Sequence, residues 1–310
     1  MNTWLVTGAG GFIGSHLVQT LLERGERVVA LDNFSTGRRE HLRPFHGQNH
    51  FTLIEADICD AHQCRKACEG VDFVLHQAAQ CSVPASIADP FATHEINVTG
   101  FLNILLAARA TGVRRVVFAS SCAVYGDSGQ TPNSEERAGK FLSPYALSKF
   151  MDELYAEIFT VETVGLRYFN VYGPRQDPNG AYAAVIPRWI TALLRRTQGA
   201  IFGDGETTRD FVFVEDVVNA NLLSATAALS EPVSHVFNVA SGNSISLNHL
   251  YSRICDLMCI EPKPVYEDLR PGDIRHSSAD ISKIRQSLGF EPAVSLEEGL
   301  RRTIAAYRKH

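Results

Sequence analysis

The sequence lacks a long apolar run, an excess of positive charge and any Cys-x-x-Cys pair. No stretch approaches the about 18 consecutive apolar residues that a membrane-spanning helix needs, so we expect no membrane partner. Lysine and arginine together number 29 against 34 aspartates and glutamates, which gives a net charge of −5. A chain without a basic excess is poorly suited to neutralise a polyanion, so we also expect no nucleic-acid partner.

The seven cysteines are an odd number, which favours free thiols in a reducing compartment. Cys64 and Cys68, like Cys255 and Cys259, lie four apart in amphipathic helical stretches. That spacing is wrong for a structural metal site, so we predict no metal. The first residues lead directly into a strand without a basic or cleavable apolar segment, which predicts a cytoplasmic protein.

Short apolar runs alternate with amphipathic helical stretches in the first half of the chain. Strands rich in Val, Ile and Phe that alternate with helices predict right-handed βαβ units and a parallel sheet covered on both faces. The predicted fold class is therefore α/β, with a doubly wound parallel (Rossmann) sheet. The predicted strands are Trp4–Thr7, Arg27–Asp32, Phe51–Ala56, Phe73–His76, Arg115–Ala119 and Val164–Tyr168.

The pattern changes after Tyr168, where glycines and prolines interrupt the regular alternation. We predict a Rossmann domain over residues 1–168 and a smaller, interleaved α/β domain over residues 169–310. The pattern over residues 210–240 predicts a strand, a helix and a second strand, and we expect this segment to return to the sheet of the first domain. Further helices are predicted over Ile186–Arg196, Ser246–Met258 and Asp280–Leu288.

A glycine-rich turn directly follows the first predicted strand and opens a helix. Its glycines Gly8, Gly11 and Gly14 are spaced three apart. Glycine permits a tight turn, a close approach of the backbone to a pyrophosphate and close helix–sheet packing. The N–H groups and dipole of the helix N-terminus favour negative charge, so the turn predicts a dinucleotide site.

The ends of the second, third and fourth predicted strands also favour a dinucleotide site. Asp32 lies eighteen residues beyond Gly14, where a carboxylate can accept the adenosine ribose hydroxyls. A carboxylate there repels a 2′-phosphate and favours NAD over NADP, whereas Arg38 nearby favours the phosphate. The predicted NAD-binding residues are Gly8, Gly11, Phe12, Ile13, Asp32, Asn33, Phe34, Thr36, Gly37, Asp57, Ile58, Gln77, Ala78, Ala79, Tyr145, Lys149 and Tyr168.

Tyr145 and Lys149 are candidates for proton transfer. They follow Pro144, which is well placed to start a helix, and a spacing of four residues puts them on one helix face. A phenol with a pKa of about 10 is a poor base at neutral pH, but a neighbouring ammonium and a positive nicotinamide stabilise the phenolate. Ser121, at the end of the fifth strand, can bridge Tyr145 and a substrate oxygen, although a turn serine and a Tyr–Lys helix pair also occur for structural reasons alone.

These motifs together resemble the extended short-chain dehydrogenase/reductase family. The resemblance rests on the glycine turn, Asp32, Ser121, Tyr145-x-x-x-Lys149 and the stretch at 167–173. Within that family the sequence is similar to UDP-hexose 4-epimerases, above all to bacterial UDP-N-acetylglucosamine 4-epimerases. The similarity covers essentially the whole chain and is strongest in the stretches 142–146, 176–187, 203–206 and 272–277.

The resemblance implies an isomerase that uses bound NAD⁺. Tyr145, held ionised by Lys149, takes the proton of the 4-hydroxyl while C4 gives hydride to the nicotinamide. The 4-keto sugar then turns about its diphosphate link and recovers the hydride on its other face. The implied substrate-binding residues are Ser121, Tyr145, Asn170, Ala184, Val185, Ala200, Phe202, Arg209, Arg270, Asp273 and Ser277.

Related reactions are weighed by what this sequence has at the same positions. Sugar-nucleotide 4,6-dehydratases carry an Asp–Glu pair where this chain has Cys122 and Ala123, which argues against water elimination. UDP-glucuronate epimerases generally need a cation for the C6 carboxylate, whereas this chain has Asp177 in the relevant loop, so uronic acids are disfavoured. Relatives restricted to glucose and galactose have a bulky tyrosine where this chain has Ser277, which favours an N-acetylated sugar.

Several alternatives stay open on the sequence alone. A small side chain at position 277 does not exclude UDP-glucose or UDP-galactose as substrate. The residues Gln80 and Cys81 also depart from the pattern of N-acetyl-specific relatives. A non-catalytic NAD-binding sensor or scaffold is a second class, disfavoured because such proteins typically lose the tyrosine or the lysine. The resemblance also implies a homodimer through helices 97–110 and 144–160, whose apolar residues Phe150, Leu154 and Ile158 equally fit packing on the chain's own sheet.

Overall fold

The computed structural model describes residues 1–127, 131–137, 139–179, 184–229, 234–268 and 274–309. Its strands are β1 (Thr3–Thr7), β2 (Arg27–Asp32), β3 (Phe51–Glu55), β4 (Phe73–His76), β5 (Arg115–Ser121), β6 (Glu162–Tyr168), β7 (Asn170–Tyr172), β8 (Ala200–Phe202), β9 (Thr208–Phe213), β10 (His235–Val239), β11 (Ser244–Ser246), β12 (Val265–Glu267) and β13 (His276–Ser277). Its α-helices are α1 (Phe12–Glu23), α2 (Arg39–Leu42), α3 (Ala61–Ala67), α4 (Val83–Ala88), α5 (Pro90–His94), α6 (Gly100–Thr111), α7 (Pro144–Ile158), α8 (Val185–Leu194), α9 (Val214–Thr226), α10 (Leu247–Met258), α11 (Ser282–Leu288) and α12 (Leu296–Tyr307).

The central sheet has seven parallel strands in the order β10-β6-β5-β4-β1-β2-β3. The predicted doubly wound α/β fold is confirmed, and all six predicted strands occur with ends that differ by a few residues. The order reverses at β1, because the chain runs outward to β3 and then returns to β4. Ligands of such sheets bind beyond the carboxyl ends of the strands at this switch point.

Two apolar clusters cover the two faces of the sheet. Leu17 and Val18 of α1 pack on one face together with α9, and Phe101 and Ile104 of α6 pack on the other together with α3. Fully burying one such side chain stabilises the fold by about 1.5–3 kcal/mol relative to exposure. The inner strands β1, β4, β5 and β6 are buried on both faces, which explains their Val-, Leu- and Phe-rich sequences, whereas the edge strand β3 is partly exposed.

A second, smaller layer is built from the later part of the chain. Strands β11, β9 and β13 form a sheet to which β7 adds beside β9, and β8 pairs with β12. A third apolar cluster, which includes Trp189 of α8 and Tyr251 of α10, packs this layer together. Because α9 leads from β9 to β10, and β10 pairs with β6, the later chain contributes to the central sheet. The division at residue 168 stays a prediction.

The predicted helix Asn97–Ala110 differs from the structure at its start. A π-helical turn over Glu95–Thr99 separates α5 from α6, and it places Asn97 toward the loop after β4. Within the described residues no helix is long and apolar enough to cross a membrane. The same residues contain no cluster of three or more His, Cys, Asp or Glu side chains arranged for a metal ion.

Candidate cofactor and catalytic site

The glycine turn between β1 and α1 leaves no room for side chains. Gly8 has φ +64, and a Cβ there would lie 2.7 Å from the amide nitrogen of Ala78. A Cβ on Gly14 would lie 2.1 Å from the carbonyl oxygen of Gly8, so only glycine allows the helix to pack this close to the strand. Phe12 and Ile13 are the first residues of α1, where backbone N–H groups have no acceptor within the helix. Such donors fit a pyrophosphate.

Asp32 at the end of β2 connects the glycine turn to the next loop. One carboxylate oxygen accepts the N–H of Gly10 at 2.8 Å, and the other accepts the N–H of Phe34 at 2.7 Å. Burial raises the pKa of Asp32 and outweighs the hydrogen bonds from Phe34 and Gly10, which lower it. A Cβ on Gly37 would lie 2.8 Å from this carboxylate, so glycine at position 37 lets the loop pass this close to Asp32. Each oxygen keeps a second lone pair for a ribose hydroxyl.

The end of β3 lies beside the end of β2. The side-chain amide of Asn33 donates to Asp57 at 2.7 Å, and the N–H of Cys59 donates to the same carboxylate at 2.8 Å. Burial tends to raise the pKa of Asp57, but these hydrogen bonds lower it below its usual value. Ile58 is buried under Gly100, whereas Thr36 is exposed in the loop after β2. The structure thus brings the residues predicted for adenosine to one edge.

Three side chains, from the residue after β4, the end of β6 and α9, form a closed ring of hydrogen bonds. Gln77 Nε2 donates to Asn221 Oδ1 at 3.1 Å, and Asn221 Nδ2 donates to the hydroxyl of Tyr168 at 2.8 Å. The hydroxyl of Tyr168 in turn donates to Gln77 Oε1 at 3.2 Å. Because its hydroxyl is engaged, Tyr168 can meet a cofactor through its ring and not through its oxygen. The sequence did not point to Asn221, which is one of several polar residues on the mixed helix α9. Ala78 and Ala79 follow Gln77 and are half-buried.

The start of α7 is fixed by two serines. The hydroxyl of Ser143 accepts the N–H of Ala146 at 3.1 Å, which is an N-cap, and Pro144 occupies the first helical turn. The N–H of Tyr145 donates to the hydroxyl of Ser86 on α4 at 3.1 Å. These contacts hold the start of α7 against α4, in the segment that follows β4, and they fix the position of the Tyr145 backbone.

Ser121, Tyr145 and Lys149 come together at the carboxyl edge of the sheet. Ser121 is the last residue of β5, and its hydroxyl accepts the N–H of Ala123 at 3.1 Å. The same hydroxyl is hydrogen-bonded to the phenol of Tyr145 and lowers its pKa. Lys149 lies one turn along α7 and is 2% exposed, so its ammonium is almost fully desolvated.

The protein alone does not make Tyr145 a strong base. Burial raises the pKa of the phenol above its ordinary value, and negative charge on Cys81, Cys122 or Asp152 raises it further. The hydrogen bond from Ser121 acts in the opposite direction but is outweighed. An ionised Tyr145 at neutral pH therefore needs the positive charge of Lys149 together with that of an oxidised nicotinamide.

Asn97 in the π-helical turn was not predicted as a site residue. Its amide nitrogen donates to Ser148 Oγ at 2.9 Å and to the carbonyl of Gln80 at 3.0 Å. Its amide oxygen accepts the N–H of Gln80 at 2.8 Å. The hydroxyl of Ser148 then donates to the carbonyl of Tyr145 at 2.8 Å, so Asn97 ties α7 to the loop after β4. Asn97 is 1% exposed, and this burial of a polar side chain is visible only in the structure.

Three predicted substrate residues meet in the second layer. Ser277 of β13 pairs directly with Arg209 of β9, and the amide of Asn170 donates to the carbonyl of Asp210 at 2.9 Å. Burial raises the pKa of the Cys122 thiol to about 11, while the charge of Arg209 lowers it. The charge of Arg209 therefore acts on the thiol of the residue that follows Ser121. The guanidinium itself donates to the carbonyl of Thr208 at 2.9 Å.

The four residues predicted to frame a uracil lie on α8 and β8. Ala184 and Val185 begin α8, and Ala200 and Phe202 are the two ends of β8. The indole N–H of Trp189 donates to the carbonyl of Ala200 at 2.9 Å and joins the helix to the strand. Arg270 and Asp273, also predicted to bind substrate, lie outside the described residues, so their roles stay predictions.

The loop after β7 places Asp177 in an ion pair. Its side chain contacts Arg38 at 2.9 Å, and both side chains are about half exposed. Arg38 belongs to the loop after β2, and its own N–H donates to the carbonyl of Gly10. Arg38 offsets part of the charge of Asp177, and the expectation that uronic acids are disfavoured stays a prediction.

These features define an NAD-binding member of the short-chain dehydrogenase/reductase class. The glycine turn, the carboxylate that ends β2 and the group of Ser121, Tyr145 and Lys149 all lie at one edge of a Rossmann sheet. The model of the NAD dependent epimerase/dehydratase family matches residues 4–240. The chain belongs to that family, and NAD is its cofactor.

Relatives match over nearly the full length of the chain. A UDP-glucose 4-epimerase of Mycolicibacterium smegmatis is 39% identical over 310 residues, covering 98% of each chain. A UDP-N-acetylglucosamine 4-epimerase of Methanobrevibacter ruminantium, solved with UDP-N-acetylmuramic acid, is 40% identical with a TM-score of 0.93 over 99% of this chain and 98% of that one. A UDP-glucose 4-epimerase of Thermotoga maritima, solved with UDP-glucose, is 37% identical with a TM-score of 0.92 over 99% of each chain.

Proposed function

We propose that this protein is an NAD-dependent UDP-hexose 4-epimerase that interconverts UDP-N-acetylglucosamine and UDP-N-acetylgalactosamine. The observation that carries the proposal is the grouping of Ser121, Tyr145 and Lys149 at the carboxyl edge of the sheet, with Ser121 hydrogen-bonded to Tyr145. Arg209 lies opposite Ser277 on β9, and its charge lowers the pKa of the Cys122 thiol, next to Ser121. A cation suited to a diphosphate thus acts on the residue beside the proton-transfer group, which supports a nucleotide sugar as substrate.

The residues of the glycine turn fit the dinucleotide that the family uses. The first N–H groups of α1 would hold the pyrophosphate, Asp32 the adenosine ribose, and Asp57 with Ile58 the adenine edge. Lys149 and Tyr145 would border the nicotinamide end. When bound in its oxidised form, NAD supplies a hydride acceptor and a positive charge.

The chain's own residues supply the proton chemistry. Tyr145 takes the proton of the sugar 4-hydroxyl and returns it after the sugar has turned over, so the enzyme needs no outside acid or base. Ser121 hydrogen-bonds the reacting oxygen, and the Lys149 ammonium favours the phenolate form of Tyr145. The nucleotide is held by Arg209 on the β9 side, so the sugar can rotate while the diphosphate stays in place.

The N-acetyl preference is supported by the size of Ser277. This residue lies beside Arg209, so its side chain would face the sugar close to the diphosphate. A hydroxymethyl side chain leaves room for an acetamido group that a tyrosine would exclude. A pocket that merely has space discriminates weakly, by about 1–3 kcal/mol per missing group, so UDP-glucose remains the second candidate. The T. maritima and M. smegmatis relatives, both named for UDP-glucose, favour that candidate.

A direct assay separates the two substrates. Purified protein is incubated with UDP-N-acetylglucosamine, UDP-glucose or UDP-glucuronate without added NAD, and the products are separated by chromatography. We expect UDP-N-acetylgalactosamine at the highest kcat/KM. Conversion of UDP-glucose alone would overturn the N-acetyl proposal, and conversion of UDP-glucuronate alone would overturn the neutral-sugar proposal. An absence of turnover with all three substrates would favour the alternative hypothesis of a non-catalytic NAD-binding sensor or scaffold.

We further propose a homodimer through α6 and α7. Both helices expose apolar side chains: Leu106 on α6 and Leu147, Leu154 and Ile158 on α7, of which Ile158 is 73% exposed. Four such residues on two adjacent helices favour a buried partner surface. Phe150, which the sequence left open to either surface, is half-buried against the chain's own core and packs on Phe141 with ring centroids 4.9 Å apart.

A further inference from the structure

A buried carboxylate competes with Tyr145 for the charge of Lys149. Lys149 Nζ donates to Asp152 Oδ2 at 3.2 Å, and the two side chains are 2% and 0% exposed. The other oxygen of this carboxylate, Oδ1, has no hydrogen-bond partner among the described residues. Asp152 therefore makes a single contact, and that contact is with the cation on which the proposed base depends.

The neighbouring charges do not replace this interaction. Glu153, the next residue, is engaged by Arg167 at 2.7 Å and by the hydroxyl of Ser120 at 2.5 Å. His76 on β4 is neutral, because burial and then the charge of Lys149 lower its pKa to about 3. Asp152 thus holds the carboxylate that acts on Lys149 most directly.

The other elements around α7 carry few ionisable side chains that act on Lys149 and Asp152. On α6 the ionisable side chain is Arg109, which is exposed and stacks on Phe159. In the π-helical turn, Glu95 is exposed. The loop after β4 and the turn after β5 contribute the thiols of Cys81 and Cys122, both of which act on Tyr145.

The geometry points to Asp152 as a positioning residue that withdraws part of the Lys149 charge from Tyr145 and so sets the pH at which Tyr145 serves as a base. The inference rests on the proposed function of Tyr145. A carboxylate beside the ammonium makes the pair closer to neutral, and a neutral pair stabilises a phenolate less than a free cation does. Consistent with this sign, negative charge on Asp152 raises the pKa of Tyr145.

The ionisation of Asp152 falls in the relevant range. Burial raises the pKa of Asp152 to about 7, the charge of Lys149 lowers it, and the charge of Glu153 raises it. The carboxylate is therefore ionised at and above about that pH, where the phenolate of Tyr145 forms. Removing the charge leaves the Lys149 ammonium uncompensated, so Tyr145 should ionise at lower pH.

The test compares Asp152→Asn with the unchanged protein in the NAD-bound form. Ionisation of Tyr145 is read from the ultraviolet tyrosinate difference spectrum during a pH titration, with the signal of a Tyr145→Phe background subtracted. We expect the midpoint to fall by about one pH unit. The acidic limb of kcat/KM should move in the same direction, which gives up to about tenfold higher kcat/KM below the limb.

Two further variants make the result specific. Glu157→Gln removes the same charge from an exposed position of α7 and should leave the midpoint unchanged, and Asp152→Glu keeps the charge and should restore it. If Asp152→Asn fails to fold, Asp152→Ser removes the charge in its place. An unchanged or raised midpoint in a folded charge-free variant would overturn the inference. A lowered midpoint in a protein that converts no UDP-sugar would uphold it while overturning the proposed substrate.

Discussion

Ser277 pairs with Arg209 across the short parallel ladder of β13 and β9, so a small hydroxyl side chain and a guanidinium stand side by side. Under the proposed function, Ser277 would bear on which sugar fits, and Arg209 on how its diphosphate is held. This pairing makes sugar preference testable by a single substitution.

Ser277→Tyr should lower kcat/KM for UDP-N-acetylglucosamine by about 10–100-fold, because the phenol fills the space of the acetamido group. Activity with UDP-glucose should change by less than about threefold. Steady-state kinetics with both substrates gives the ratio. Ser244→Tyr, at an exposed position of β11 that also pairs with β9, is the control and should alter neither value. Equal losses with the two sugars would show that residue 277 does not set the preference.

Tyr145→Phe should reduce kcat by about 10²–10⁴-fold, the range expected for loss of a general base. Its melting temperature should stay close to that of the unchanged protein, because only the hydroxyl that contacts Ser121 is removed. Tyr155→Phe, on the same helix, is the matched control and should keep its activity. Full activity in Tyr145→Phe would remove this residue from the proposed mechanism.

Gly14→Ala should abolish bound NAD, because the added Cβ would lie 2.1 Å from the carbonyl oxygen of Gly8. The measurement is the NAD released on denaturation of the purified protein. Gly25→Ala is the control: its Cβ would meet nothing within 4 Å, and its φ of +75 costs about 1–2 kcal/mol of stability without touching the turn. NAD retained in Gly14→Ala would contradict the predicted pyrophosphate site.

Leu154→Glu combined with Ile158→Glu should give a monomer at micromolar concentration, because two charges replace apolar side chains that are 48% and 73% exposed. Sedimentation velocity measures the change against the unchanged protein. Leu194→Glu, an exposed apolar position on α8, should leave the assembly intact. If the unchanged protein is itself a monomer at this concentration, the proposed dimer is wrong.

The sequence was sufficient to predict those parts of the structure that follow general rules of strand patterning and glycine packing. Strand alternation predicted a parallel, doubly wound sheet and six of its strands, and the glycine spacing predicted the tight packing seen between Gly14 and Gly8. Local patterns did not reveal the contacts that depend on packing. In the π-helical turn, the amide of Asn97 bonds both Gln80 and Ser148, which are 17 and 51 residues away along the chain.

Asp152 shows the same limit for the catalytic group. Its position three residues after Lys149 is visible in the sequence, but a helix surface can place such a carboxylate in solvent as easily as in the core. Only the packing of α7 shows that both side chains are buried and in contact. In the same way, the pairing of Arg38 with Asp177 could not be read from two loops 139 residues apart.

The most direct test of the central claim follows the hydrogen at C4 of the sugar. UDP-N-acetylglucosamine is converted in D₂O by protein to which no NAD is added, and the product is examined by NMR and mass spectrometry. Hydride transfer within one site predicts UDP-N-acetylgalactosamine that retains its original hydrogen at C4 and carries no solvent deuterium there. Deuterium at C4, or no 4-epimer from any UDP-hexose, would contradict the account.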